Sequence, residues 1–229
     1  MPAAAYAISL AVLSPAKTAG SRATWSVILP SAMAEPDADV IQAVLDGEND
    51  RYAELVERYQ DFALRLALGL LGNDEDARDA AQEAFISAYR SLSTFRARAK
   101  FSTWLYRIVI NECKDVYRRR ARQPMIVARA GGPEPELSGE EYWIDVEDPS
   151  ADPTRRAANH ELARHLQQAM TRLPPKQRTA FVLHHLQGLP LEDVAAIMNC
   201  RAGTVKAHIF RATTTLRTAL QPWLPKEDR

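Results

Sequence analysis

From Asp37 onward the apolar positions recur with the period of a helix. Val40, Ile41, Val44 and Leu45 begin the pattern. Leu55, Val56, Tyr59, Phe62, Leu66 and Leu70 continue it at three- and four-residue steps, which makes one amphipathic face and not the alternation of a strand. Gly72 and Asn73 end that helix. In the next stretch, NDEDARDAAQEAFISAYRSL, Asn73 or Asp74 serves as cap and acids fill the first turn, where the helix dipole favours negative charge. Ala77, Ala81, Ala84 and Ala88, joined by Phe85 and Leu92, then form a narrow seam that lets helices approach closely. A short basic loop, TFRARAK, leads to FSTWLYRIVINECKDVYRRR at 101–120, whose buried side is either Trp104, Ile108 and Cys113 or Val109 and Val116.

A second periodic block follows a break. Residues from about Gln123 to Thr154, including GGPEPELSGEEYWIDVEDPSADP, are rich in proline, glycine and acids, the composition of a linker. Beyond it run LARHLQQAMTRL, LPPKQRTAFVLHHLQGL and LEDVAAIMNCRAGTVKAHIFRATTTLRTAL, with Pro174 and Pro175 stopping one helix and starting the next. No useful alternating run and no internal repeat occurs. The expected class is therefore all-α: two small helical domains joined by an acidic flexible linker. The boundaries read as an extension or misplaced start over 1–36 (Met33 being the alternative initiator), a helical domain over 37–122, the linker over 123–157 and a second domain over 158–224.

The C-terminal domain reads as a helix-turn-helix. Its first helix is expected to bury Val194, Ala195 and Met198, and its second Val205, Ile209 and Leu216. Asn199 stands at the turn, where a left-handed backbone is tolerated by few non-glycine residues. Arg201, Thr204, Lys206, His208 and Arg211 then lie near the start and outer side of the second helix, where a recognition helix meets base edges and phosphates in a major groove. The competing account is a helical hairpin that only packs.

Charge changes the picture of the first domain. The chain has 229 residues, 46% hydrophobic and 25% charged, and its formal net charge of zero conceals segregation. Ten residues between Arg90 and Arg122 are Lys or Arg against only Glu112 and Asp115, whereas Gly131–Pro153 holds eight acids and no base. Among the cations stand Tyr89, Phe95, Phe101, Trp104, Tyr106 and Tyr117. Aromatic faces that stack on bases, beside cations that track phosphates, are what single-stranded nucleic acid requires. The plainer account makes the aromatics core, Phe95 or Phe101 among them, and the arginines a solvated face.

Other chemistry is thin. Cys113 and Cys200 are far apart without a CxxC companion, so neither a disulfide framework nor a zinc site is expected. No run reaches the length of a membrane span, and the alanine-rich first thirty residues lack the positive start of a secretion signal, so a cytoplasmic protein without membrane insertion is expected. His184 and His185 are adjacent and on a helix would point apart; with His160 and His165 they form no metal motif. Phosphate-cradling glycine loops and nucleophile elbows are missing too, so neither enzyme activity nor a cofactor is expected.

QEAFISAYRSLSTFRARAKFSTWLYRIVINECKDVYRRR, followed after the acidic linker by LPPKQRTAFVLHHLQGLPLEDVAAIMNCRAGTVKAHIFRA, resembles bacterial RNA polymerase sigma factors of the extracytoplasmic function group, in particular the RpoE-like envelope-stress factors. The likeness covers about residues 37 to 224. It implies a first domain that docks on core RNA polymerase, through the β′ clamp, and reads the promoter −10 element as melted strand. Asp79, Gln82 and Glu83, with Phe85 alongside, fall on the docking stretch. Phe95, Arg96, Arg98 and Lys100 fall on the loop that shapes a flipped-base pocket, and Trp104, Arg107, Asn111, Lys114 and Arg118 on the strand's path. Asn111 is the candidate for hydrogen bonding to a base edge. The second domain, which meets the β flap, would read the −35 element as duplex, and the linker would thread toward the active-site channel. The resemblance further implies an anti-sigma factor that covers the docking surfaces. This chain departs from the family at Ala80 and Ala81, where bulkier residues are usual, at Ala97-Arg98-Ala99 in place of Gly-Asp or Gly-Glu, and at Ala207-His208 in place of Ser-Arg. The alternative function is a stand-alone helix-turn-helix transcriptional regulator.

Overall fold

The computed structural model describes residues 35–97, 99–122 and 153–223, and eight α-helices but no strand occur among them. They belong to two compact units, one within Val27–Glu141 and the other holding Tyr142–Arg229. The expected structure of 1–34, Arg98 and 123–152 lies outside the described residues.

The first unit consists of α1 (Glu35–Leu45), α2 (Tyr52–Leu71), α3 (Asp74–Ser91) and α4 (Phe101–Arg122). Helices α2, α3 and α4 each pack on the other two. Gly72 ends α2 at φ 69°, and its N–H donates to the Leu68 carbonyl at 2.8 Å. Asn73, extended, accepts from the Asp76 N–H at 2.9 Å, which settles the cap in favour of Asn73 over Asp74. Ala77, Ala80, Ala81, Ala84 and Ala88 are all buried, so α3 presents almost bare backbone to its neighbours. On α2, larger groups such as Leu55 and Leu66 are fully buried, each contributing about 1.5–3 kcal/mol.

On α4 the buried stripe is Phe101, Leu105, Val109, Cys113 and Val116, at helical spacing. Trp104 and Ile108 are only half-buried, so the Val109–Val116 alternative holds and takes Cys113 with it. Leu45, expected on the apolar face of α1, is 45% exposed because it closes the helix where the chain turns at Gly47.

The second unit consists of α5 (Pro153–Thr171), α6 (Pro175–Phe181), a π turn over Val182–Leu186, α7 (Leu191–Met198) and α8 (Ala202–Leu220). Pro174 caps α6 and Pro175 occupies its first turn. Arg178, 5% exposed, donates to the carbonyls of Thr171 at 2.5 Å and Leu173 at 3.2 Å, supplying donors to carbonyls that the end of α5 leaves open. Asn199, at φ 51° and ψ 52°, makes the left-handed turn between α7 and α8. The buried residues differ in part from expectation. Ile197 is enclosed in place of Met198, which sits half-buried beside the turn. On α8 the core is Val205, Ala212, Leu216 and Leu220, with Ile209 half-buried, and α8 packs mainly against α6.

Candidate nucleic-acid interface

After α3 a 3-10 turn, Leu92–Thr94, closes with the Phe95 N–H donating to the Leu92 carbonyl at 3.0 Å. Ala97 then adopts φ 50°, a left-handed conformation that costs a residue with a side chain about 1–2 kcal/mol. The resemblance implies Gly-Asp or Gly-Glu within 97–99, and a side chain at Ala97 leaves local strain there. Phe95, Phe101 and Trp104 form a triangle with ring centroids 5.4, 5.6 and 5.8 Å apart. Phe101 is buried and forms its floor; Phe95 and Trp104 are half-exposed above it.

The other aromatics of the segment serve elsewhere. Tyr106 is core, stacked on Phe62 at 4.0 Å with its hydroxyl pKa raised by burial. Tyr117 donates its hydroxyl to the Leu70 carbonyl. Tyr89 is 40% exposed but leans edge-on to Tyr52, at 5.0 Å, across α2 and α3. Of the six aromatics, Phe95 and Trp104 alone stand on the surface beside the basic loop.

Trp104, Arg107, Asn111, Lys114 and Arg118 follow at steps of three and four residues and form one stripe along α4, flanking its buried face. Its length is about 21 Å at the helical rise. Asn111, Lys114 and Arg118 are exposed, whereas Trp104 and Arg107 are half-buried. Lys114 Nζ donates to Asn111 Oδ1 at 3.1 Å, and Arg118 pairs with Asp115 at 2.8 Å. These exposed intrahelical contacts are weak enough for a phosphate or base to displace. Arg96 and Lys100 are exposed on the loop. Arg120 instead pairs with Asp76 in the first turn of α3.

Of the docking stretch, Asp79, Gln82 and Glu83 stand at i, i+3 and i+4 on the exposed side of α3, and Phe85 lies at its buried edge. Gln82 and Phe85 line an apolar groove of about 990 Å³ between α2 and α3, together with Val56, Leu64, Ile86 and Tyr89; Asp79 and Glu83 are exposed outside that lining. Phe85 itself is 8% exposed, so it is chiefly core. Its carbonyl accepts the Tyr52 hydroxyl at 2.8 Å, a phenol whose pKa burial pushes up to about 12.

On α8, Arg201 caps the helix and, with Thr204, Lys206 and Arg211, is exposed. His208 is half-buried and its Nδ1 has no hydrogen-bond partner. One turn beyond Lys206, Phe210 holds 73% of its surface in solvent. His184 and His185 do not point apart as expected: the π turn brings their rings to 4.9 Å, with His184 Nδ1 2.8 Å from the Leu189 carbonyl and His185 against Phe181. No group of three or more possible metal ligands occurs among the described residues.

Residues 55–123 match the family model Sigma-70 region 2, and residues 163–216 match Sigma-70, region 4. The RNA polymerase sigma-H factor of Pseudomonas aeruginosa is 36% identical over 83% of this chain and 96% of its own. The ECF RNA polymerase sigma factor SigW of Bacillus subtilis is 35% identical, over 79% and 95%. The chain belongs to the extracytoplasmic function group of sigma-70 factors. It is therefore a transcription initiation factor that binds core RNA polymerase, recognises −35 and −10 promoter elements and promotes melting. The sigma factor RpoE of Bartonella quintana, solved in complex with the anti-sigma factor NepR, shares the fold with a TM-score of 0.52 at 23% identity, covering 78% of this chain and 98% of that one.

Sequence reasoning about this sigma factor missed Phe210 and the α2 side of the groove. The second had a signal: Val56, Gln60 and Leu64 recur every four residues beside the core stripe. Phe210 lies between Ile209 and Arg211, and only its exposure separates it from a core aromatic. No helix among the described residues is long and apolar enough to cross a membrane.

Proposed function

We propose that this sigma factor divides promoter recognition between its units: 37–122 holds the melted −10 strand, 158–224 holds the −35 duplex, and the acidic stretch ahead of α5 follows a cationic path through the polymerase. The observation that carries this reading is the stripe on α4. Trp104 and Phe95 offer ring faces over the buried Phe101, and Asn111, Lys114 and Arg118 continue along the helix. Unstacking a base costs a few kcal/mol, which stacking on these rings offsets. Arg96, Lys100 and Arg107 supply cations beside the pocket, and Arg98 adds a further charge to the same stretch of sequence. Arg201, Thr204, Lys206, His208 and Arg211, with Phe210 added, face the duplex from α8.

Asp79, Gln82, Glu83 and Phe85 dock on the β′ clamp, with the groove beside them receiving part of that contact, and the second unit meets the β flap. An anti-sigma factor covers the same surfaces when transcription is silent. The protein acts in the cytoplasm, has no catalytic centre of its own and takes no cofactor. The test is open-complex formation on a duplex promoter with and without core polymerase. Specific opening that requires core, and that Trp104→Ala and Asn111→Ala both slow, is the expected result. Specific opening or tight duplex binding without core would refute it in favour of a stand-alone regulator.

A further inference from the structure

Asp37, on α1, is 3% exposed, which is costly for a carboxylate unless its oxygens are satisfied. They are: the Tyr59 hydroxyl donates to Oδ2 at 2.6 Å, and the Arg58 guanidinium donates to Oδ1. Tyr59 is itself 3% exposed, so it touches no ligand. Its ring lies 5.5 Å from Phe101 and 6.3 Å from Tyr106. Phe101 in turn is the buried floor under Phe95, at 5.8 Å, and Trp104, at 5.6 Å. Helix α1 also touches the turn Leu92–Thr94, from which the loop to Phe95 springs. The contacts therefore run unbroken from a buried carboxylate on α1, through one phenol, to the two surface aromatics.

We propose that Tyr59, fixed at its hydroxyl by Asp37 and packed at its ring on Phe101, is a positioning residue for Phe95 and Trp104, and that α1 is thereby coupled to promoter opening. The inference rests on the −10 reading above. Densely packed interiors transmit small displacements, so a phenol released at its hydroxyl end shifts the ring floor. The hydroxyl pKa of Tyr59 is raised, first by burial and then by the bond to Asp37, so the group remains a donor throughout the physiological range.

Tyr59→Phe removes the hydroxyl and keeps the ring; Asp37→Asn keeps the shape and weakens the acceptor. Opening of a duplex promoter by the holoenzyme is measured beside affinity for core, melting temperature and the emission of Trp104 as sole tryptophan, the other three replaced by Phe. The expected result for either variant is opening slower by about fivefold, the worth of one ordinary hydrogen bond. Core affinity should hold within about twofold and Trp104 emission should shift. Tyr59→Phe combined with Trp104→Ala should open no more slowly than Trp104→Ala alone. Wild-type opening and emission in both variants overturn the inference. So do additive effects accompanied by parallel losses of core affinity and melting temperature, the pattern of a merely structural role. Should Tyr59→Phe fail to fold, Asp37→Asn carries the same cycle. Wild-type opening by Trp104→Ala would overturn the −10 reading and this inference with it; slow opening by Trp104→Ala beside an additive Tyr59→Phe overturns the inference alone.

Discussion

Phe210 gives a sharp separation between fold and recognition. With 73% of its surface in solvent, its ring does little for the helix that carries it, so Phe210→Ala should change stability by no more than about 0.5 kcal/mol. Full burial of a phenylalanine is worth about 1.5–3 kcal/mol. Roughly three-quarters of that remains to be gained on α8 when duplex covers the ring, or about 1–2 kcal/mol, which is about 5–30-fold in Kd. The chemistry it offers is apolar contact with a thymine methyl group. Holoenzyme should therefore be titrated by fluorescence anisotropy against a −35 duplex selected from a random library, and against the same duplex with uracil for thymine. The variant should bind the thymine duplex more weakly, discriminate less between the two, and keep the wild-type salt slope. Lys206→Ala, by contrast, should flatten that slope by about one if it contacts a phosphate. Unchanged affinity and discrimination in Phe210→Ala would refute the reasoning, as would a loss explained by a fall in melting temperature.

Two further outcomes follow from buried titrating groups. Burial, and then the charge of His184, hold the His185 imidazole down at about 4 against an ordinary 6.5. Below 6.5 the unfolded chain binds a proton that the folded one does not, so the stability of the second unit should fall by up to ~3 kcal/mol as pH drops from 6.5 toward 4. Urea titrations across that window should show the slope, and His185→Phe should flatten it; equal slopes would contradict the burial argument. Burial, and then the charge of Glu112, push the Cys113 thiol up to about 12. Alkylation at about pH 8 should therefore label Cys200 and spare Cys113 until the chain unfolds, a pattern that peptide mapping checks and that labelling of native Cys113 would exclude.

What could be read in advance follows the range of the cause. The stop at Gly72, the cap at Asn73, the alanine seam and the left-handed Asn199 depend on a few neighbouring atoms, and all are found as expected. Two stripes on α4 were equally periodic, and only the position of α2 and α3 chooses Val109 over Ile108. Met198 and Ile209 give way to Ile197 and Ala212, neighbouring positions that the periodic pattern serves almost as well, and only the placement of the other helices chooses between them. The histidine pair escaped because a π turn changes the angular step on which a helical expectation rests. The bond from Tyr59 to Asp37 spans 22 residues and has no local signature. The surface stripe on α4 was legible because its spacing is local, while the groove beside Gln82 depends on where α2 lies.

The five buried alanines of α3 have a mechanical consequence. An alanine has no rotamer to change, so on its own side of the seam α3 has little that can reshuffle under a load on Asp79 or Glu83. Such a load favours movement of the helix as a stiff rod against α2 and α4. Whatever seizes its outer side therefore gains leverage on the helix that carries Trp104, a mechanical advantage that a leucine-filled joint would cushion.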